Sequence, residues 1–280
     1  MSDDSRVIGP EDYLEPACLL CGEPFGAEPA IRAVPQQRIV EKLDEYMSRR
    51  DYAGAERHLL YWLEEAELGR DERGKLLLLN ELVGHYRKTG DRDKALARAD
   101  EALALLEKLD FDGTISAGTT YVNTATACSA FGENERALAL FEKARAIYES
   151  SPRIQAHLLG GLYNNMALVC TALGRYDKAF ALYEKAMRAM ARVPGGVLEQ
   201  AITCLNMADA VAAQQGPEAG EARIFELLDR AEALLRDPSA PHDGYYAFVC
   251  EKCAPSFSYY GYFLTAEELQ KEAKAIYERA

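Results

Sequence analysis

The sequence predicts an all-α solenoid of about six helical hairpins. Glycines recur at one constant interval, at Gly90, Gly132, Gly174 and Gly216. An apolar run with helical spacing precedes each glycine, and a polar segment with regularly placed alanines follows the first three. A constant interval of this kind is typical of proteins in which each structural unit stacks on the next.

Each glycine is expected to form the turn between two helices, because glycine adopts positive φ without strain. In the first three units one alanine follows the glycine by five residues, and a second comes seven residues later. These pairs are Ala95 and Ala102, Ala137 and Ala144, and Ala179 and Ala186. Small residues two turns apart allow two helices to approach closely, and Phe141 and Tyr183 fill the space between them.

The segment "LGRYDKAFALYEKA" resembles the tetratricopeptide repeat (TPR) family, with Gly174, Tyr176, Ala179, Tyr183 and Ala186 at that family's spacing. The usual unit has about 34 residues, fewer than the interval between these glycines, so each helix here is longer by about one turn. "YNNMA", Tyr163 to Ala167, resembles a motif of the longer-repeat branch, which includes kinesin light chains and bacterial peptide-signal receptors. The resemblance implies a right-handed superhelix, a concave groove that binds an extended peptide, and a bacterial member of the family.

Weaker units flank the four that contain these glycines. Residues 37–66 lack a turn glycine, and residues 248–280 contain Pro255, which is expected to kink or interrupt the first helix of that unit. Residues 1–35 hold five of the eleven prolines and a local charge of -5, which favours an extended, acidic arm. The predicted domains are therefore an arm over 1–35 and a solenoid over 36–280.

Asparagines inside the apolar runs are the candidate binding residues. Counted back from the turn glycine, Asn80, Asn164 and Asn206 share one position, while Asn123 matches Asn165 at the next. An amide can pair with both the N–H and the C=O of an extended main chain. The resemblance implies this use, although bonding between neighbouring helices is an alternative. Other residues at positions predicted to face the groove are Thr119, Thr126, Leu168, Thr171 and Thr203.

Two Cys-x-x-Cys pairs, Cys18 with Cys21 and Cys250 with Cys253, could form a tetrahedral zinc site. The length of chain between Cys21 and Cys250 far exceeds the spacing of a compact zinc module. The arm could reach the second pair, or pairs from two chains could meet in a homodimer. The alternative is that all four are unliganded thiols. Cys128 and Cys170, at one apolar position, are predicted core residues.

Aromatic residues are concentrated in "DGYYAFVCEKCAPSFSYYGYF", near the C-terminal end. Half of them are expected to close the core, and the remainder to line the end of the groove or a dimer contact. A net charge of -13 argues against general nucleic-acid binding. No apolar run is long enough to cross a membrane, and "MSDDSRVIGP" does not read as a secretory signal, which predicts a cytoplasmic protein.

The sequence contains no phosphate loop, nucleophile elbow or paired histidines at metal-ligand spacing, so a catalytic function is not predicted. The leading hypothesis is a scaffold that binds an extended peptide or a partner's tail in its groove. The alternative hypothesis is a self-assembling scaffold whose arm occupies the groove, with or without a linking zinc ion.

Overall fold

The fold is an array of helical hairpins. The computed structural model describes residues 31–109, 111 and 113–279. This part of the chain contains twelve α-helices and no strand: α1 (Gln36–Ser48), α2 (Tyr52–Leu68), α3 (Glu72–Thr89), α4 (Arg92–Lys108), α5 (Ile115–Ala130), α6 (Asn134–Ser150), α7 (Ala156–Ala172), α8 (Tyr176–Met190), α9 (Val197–Gln215), α10 (Glu221–Leu235), α11 (Gly244–Tyr259) and α12 (Phe263–Tyr277). The prediction of six hairpins is confirmed. The predicted arm over 1–35 lies almost wholly outside the described residues and stays a prediction.

The turns inside the hairpins follow the prediction from glycine. Gly90 lies in the left-handed region, with φ 79° and ψ 12°, and its N–H closes the last turn of α3. Gly132, Gly174 and Gly261 also have positive φ at the equivalent turns. The first hairpin has no glycine there, and Arg50 takes the left-handed conformation instead, with φ 56°. A side chain at positive φ is strained, which explains why the other hairpins use glycine.

The alanines and aromatic rings predicted to lie between paired helices are buried. The six alanines of the first three units are fully buried, as is Tyr183, and Phe141 is 1% exposed. In the last unit α11 continues through Pro255 to Tyr259, so the expected interruption does not occur. Pro255 lies on the exposed side of the helix, where its ring meets solvent instead of the core.

The two sides of the array are held together differently. Odd-numbered helices pack directly on the next odd-numbered helix, from α3 to α11. Successive even-numbered helices are bridged by long charged side chains, such as Lys94 to Glu56 at 2.8 Å and Lys178 to Glu142 at 2.8 Å. Closer packing on one side curves the array toward that side. We call the side formed by the odd-numbered helices the inner wall.

Gly118 on α5 leaves room for the buried ring of Tyr148 on α6. A Cβ at Gly118 would lie 2.4 Å from Cε1 of Tyr148, whose ring is buried and whose hydroxyl bonds with Thr119 Oγ1 at 2.9 Å. We expect Gly118→Ala to destabilise the protein by about 1–3 kcal/mol through overpacking, although alanine normally stabilises a helix. Urea unfolding should show that Tyr148→Leu offsets part of this loss in the double variant. Additive effects would contradict the proposed contact.

Candidate functional site

Burial along the odd-numbered helices defines the structural register of the repeats. Fully or nearly buried residues repeat at the interval of the glycines from α3 through α7, but the interval is one residue shorter from α7 to α9. Cys170 lies four residues before Gly174, whereas its counterpart Val211 lies five residues before Gly216. Gly216 has φ 84° and ψ 153°, outside the left-handed turn conformation of Gly90, so α9 ends differently. Counting back from the glycine therefore misplaces residues of α9 by one.

This register corrects the predicted alignment of the asparagines. Asn206 is equivalent to Asn165 and Asn123, and not to Asn164 and Asn80. Three consecutive inner helices, α5, α7 and α9, thus carry an asparagine at one shared position. We call Asn123, Asn165 and Asn206 the amide column. At the same position α3 carries Glu81 and α11 carries Lys252.

Asn80 and Asn164, at the preceding position, bond between helices. Asn80 Nδ2 donates to the Leu76 carbonyl at 2.9 Å and to Thr120 Oγ1 at 2.9 Å, and its oxygen accepts from Asn123 at 3.0 Å. Asn164 has equivalent partners two units later, but here the threonine is the donor. The oxygen of Asn164 accepts from Thr203 at 3.3 Å and from Asn206 at 3.1 Å. Both amide hydrogens of Asn80 and the oxygen of Asn164 are therefore engaged by the fold.

The amide column retains unused hydrogen-bonding groups. All three of its residues are partly buried. Asn165 makes no hydrogen bond to any described residue. The side-chain oxygens of Asn123 and Asn206 have no donor there either, and each residue uses one amide hydrogen. These groups are accessible to solvent, since the only buried unpaired polar side-chain atoms of the described residues are in His85 and Thr124.

The hydroxyl groups predicted to face the groove are mostly bonded to their own helices. Thr126 donates to the Val122 carbonyl at 2.7 Å, and Thr171 donates to the Ala167 carbonyl at 3.0 Å. Thr203 is 2% exposed, so its predicted place on the groove surface is wrong. Thr120, its counterpart beside Asn80, was not identified from the sequence. The spacing of Thr120 and Thr203 within the corrected register could have identified the pair.

A cavity of about 600 Å³ opens at the N-terminal end of the wall, between α3 and α5. It contains Asn80, Asn123 and the carboxylate of Glu81, with Arg73 at its edge. Arg73 packs over the ring of Phe111 at 5.5 Å. Burial raises the pKa of Glu81, and the nearby charge of Asp44 raises it further. This end of the wall thus combines amides with a carboxylate that forms no ion pair within the described residues.

Two acids on α9 also lack a basic partner among the described residues. Burial raises the pKa of Glu199 and of Asp209. Glu199 accepts a hydrogen bond from the hydroxyl of Tyr245, and Asp209 accepts one from Tyr260 at 2.8 Å. Acids between the outer helices are in a different setting, because long basic side chains such as Lys94 pair with them.

The aromatic C-terminal region divides between core and surface, as the sequence predicts. Tyr246 and Phe257 are buried. The inner face of α11 presents Tyr245, Phe248 and Tyr259, which are 44%, 50% and 77% exposed. Tyr245 and Phe248 stack with ring centroids 6.1 Å apart. No described contact shows whether a second chain covers this face, so the predicted homodimer stays a prediction.

The predicted zinc site is only half described. Cys18 and Cys21 lie outside the described residues. Cys250 and Cys253 are buried in α11, and burial raises the pKa of their thiols to about 11 and about 12. Zinc binds thiolates, so this environment does not by itself favour a metal. The described residues contain no group of three or more histidines, cysteines and acids able to hold a metal ion. Zinc binding therefore remains untested. Cys128 and Cys170 are buried core residues, as predicted.

Comparison with known proteins supports the assignment of the fold. The tetratricopeptide repeat model matches residues 75–150 and 158–219. A putative kinesin light chain from Podosopora anserina, with nearly identical TPR-like repeats, is 20% identical with a TM-score of 0.50, and the match covers 71% of this chain and 92% of that one. BtubC (BKLC) from P. vanneervenii is 17% identical with a TM-score of 0.50, covering 87% of this chain and 91% of that one. No curated protein matches significantly.

The helical hairpins and their inner wall define a repeat scaffold of the kind that generally mediates protein–protein interactions. Residues 75–150 and 158–219 consist of tetratricopeptide repeats, and the fold is similar to that of kinesin light chain-like repeats. None of the described helices combines the length and the hydropathy that crossing a bilayer requires.

Proposed function

We propose that this protein is a non-catalytic scaffold that binds an extended peptide, or the tail of a partner protein, along its inner wall. The amide column carries the proposal. Packed helices lie about 8–10 Å apart, and three residues of an extended chain span about 10 Å. Asparagines on three successive helices can therefore meet main-chain groups of one extended segment at regular intervals.

The two asparagine positions have different roles in this proposal. Asn80 and Asn164 fix neighbouring inner helices through hydrogen bonds within the protein. The amide column lies beside them and retains the free groups. Each free amide offers a donor and an acceptor, which matches the N–H and C=O of a main chain without selecting a side chain. The proposal also includes a cytoplasmic location, no catalytic activity and no nucleic-acid binding.

The self-assembly alternative depends on the acidic arm, and residues 1–30 lie outside the described part of the chain. The acids on the inner wall, Glu81, Glu199 and Asp209, give an acidic segment no evident charge complement. A partner other than the arm is therefore the better-supported occupant.

A protruding side chain on the inner wall tests the proposal. Gly161 lies on α7, and a Cβ there would meet no atom within 4 Å, so a larger residue fits the fold and projects into the groove. We expect Gly161→Tyr to abolish binding of short peptides selected from a random phage library against the wild type. Its melting temperature should stay equal or rise, because glycine weakens a helix. Binding is measured by fluorescence anisotropy.

Ala181→Tyr on the exposed face of α8 provides the matched control, since it adds the same side chain to the outer surface. We expect this variant to bind the selected peptides normally. Full binding by Gly161→Tyr, or equal loss in both variants, would contradict a groove site. Failure to select any peptide would count against the function itself.

A further inference from the structure

A second cavity, of about 340 Å³, lies where α7, α9 and α11 begin. Glu199 of α9 supplies its carboxylate, and Tyr245 of α11 forms one aromatic side. Apolar side chains complete the walls: Met190, Val193 and Pro241. Gly161 and His157 of α7 form the remaining edge, toward the inner wall. We call this cavity the Glu199 pocket.

The carboxylate of Glu199 forms no ion pair with any described residue. Its polar contact is the hydroxyl of Tyr245, which donates a hydrogen bond to it. Burial raises the pKa of Glu199, and the charge of Lys252 on α11 opposes that effect without forming an ion pair. His157 is exposed at the rim and makes no ion pair with Glu199. A half-buried carboxylate in this setting gains from a cation supplied from outside.

The other walls fit a particular kind of cation. Lysine and arginine place an aliphatic stem along apolar surface and keep the charge at the tip. Met190, Val193 and Pro241 offer that apolar surface, while the exposed ring of Tyr245 can face the charged group. Phe248, stacked on Tyr245, continues the surface along α11 and offers a contact for a neighbouring apolar residue.

The charge around the pocket favours the same partner. Asp209 lies ten residues further along α9, about 15 Å away, and among the described residues its one hydrogen-bond partner is also a tyrosine hydroxyl. Lys252 is the one basic residue on the inner face of α11. The net charge of -13 attracts a basic segment at long range.

We propose that the Glu199 pocket is the subsite for a lysine or arginine side chain of the peptide that occupies the inner wall. The inference rests on the proposed function and gives it a ligand class: extended segments with a basic residue beside an apolar one. The amide column would hold the main chain, and the pocket would select one side chain.

Synthetic peptide pools test the subsite without knowledge of the natural partner. Each fluorescein-labelled pool consists of undecapeptides with degenerate flanks and one fixed central residue: lysine, norleucine or glutamate. Norleucine matches the stem of lysine without its charge. In anisotropy titrations we expect the lysine pool to bind the wild type at least tenfold more tightly than the norleucine pool, and the glutamate pool to bind most weakly.

Glu199→Gln should reduce affinity for the lysine pool to that for the norleucine pool, while norleucine binding stays unchanged. Glu184→Gln, on the exposed face of α8 and paired there with Arg188, is the matched control and should preserve the preference. Melting curves verify that Glu199→Gln is folded. The comparison of the three pools on the wild-type protein tests the subsite even if the variant does not fold. Equal binding of all pools, or preference for glutamate, would overturn the subsite but leave the groove function intact. No binding by any pool would overturn both.

Discussion

Replacing Asn123, Asn165 and Asn206 together by alanine is expected to weaken peptide binding to the inner wall by about two orders of magnitude. Each residue would lose a hydrogen bond to the peptide main chain, worth about 1 kcal/mol net. The loss of three such bonds, about 3 kcal/mol, corresponds to roughly a 100-fold change in Kd. Anisotropy with a peptide selected against the wild type measures the effect.

The three substitutions are expected to lower the stability of the fold by different amounts, and this difference provides internal controls. Asn123 and Asn206 each donate one hydrogen bond to an asparagine of the preceding inner-wall helix, α3 or α7, so their removal also lowers stability. Asn165 makes no hydrogen bond to any described residue, so Asn165→Ala should weaken binding without lowering the melting temperature. Asn165 therefore separates binding from folding.

The double variant Asn80→Ala with Asn164→Ala is expected to behave in the opposite way to Asn165→Ala. These residues join neighbouring helices, and their loss should lower the melting temperature more than the affinity of the folded protein. If this double variant weakens binding more than the triple variant of the amide column does, the peptide-contact and helix-joining roles have been assigned to the wrong residues. Unchanged affinity in the triple variant would mean that the column does not contact the ligand.

The hairpins could be predicted from sequence because their determinants are local. Gly90 or Gly174 adopts its turn conformation through its own φ, and Ala179 lies on a face set by helical periodicity. The pattern can therefore be recognised in a single sequence without knowledge of the tertiary structure. The twelve helices of the described residues confirm this part of the prediction.

The register of α9 could not be obtained in the same way. Gly216 repeats the constant interval of the glycines, but its backbone adopts a different conformation, and α9 is displaced by one residue relative to its glycine. On a helix a displacement of one residue rotates a side chain by about 100°. Asn206 was thus identified as a candidate but placed at the wrong position of the repeat, and Thr203 was predicted on the surface although it is buried.

The Glu199 pocket was not predictable because it has no local signature. Its residues come from α7, the end of α8, α9, α11 and two connecting loops, spread over positions 157 to 245. The interpretation of Glu199 depends on its partial burial and on the absence of an ion pair with any described residue. The sequence position of one glutamate in an acidic chain reveals neither its burial nor its lack of an ion pair.

Replacing Tyr183 by alanine is expected to produce the largest loss of stability, about 3–5 kcal/mol. Its side chain is fully buried on α8, and burial raises the pKa of its hydroxyl to about 12. Removing the ring leaves a cavity that the surrounding helices can only partly fill. For a protein of this size the melting temperature should fall by about 10 °C. Calorimetry and urea unfolding measure the change.

Gln270 on α12 is the matched control, because it occupies the same place in the last hairpin. It is exposed there, so Gln270→Ala should change stability by less than about 0.5 kcal/mol. A similar small effect of Tyr183→Ala would contradict the packing of α8 against its neighbours.

Each hairpin of a solenoid contacts only adjacent hairpins, so weakening the α7–α8 unit uncouples the helices on either side. The amide column spans that unit, with Asn123 on one side and Asn206 on the other. We therefore expect Tyr183→Ala to broaden the unfolding transition and to lower peptide affinity at temperatures where the ends of the array are still helical.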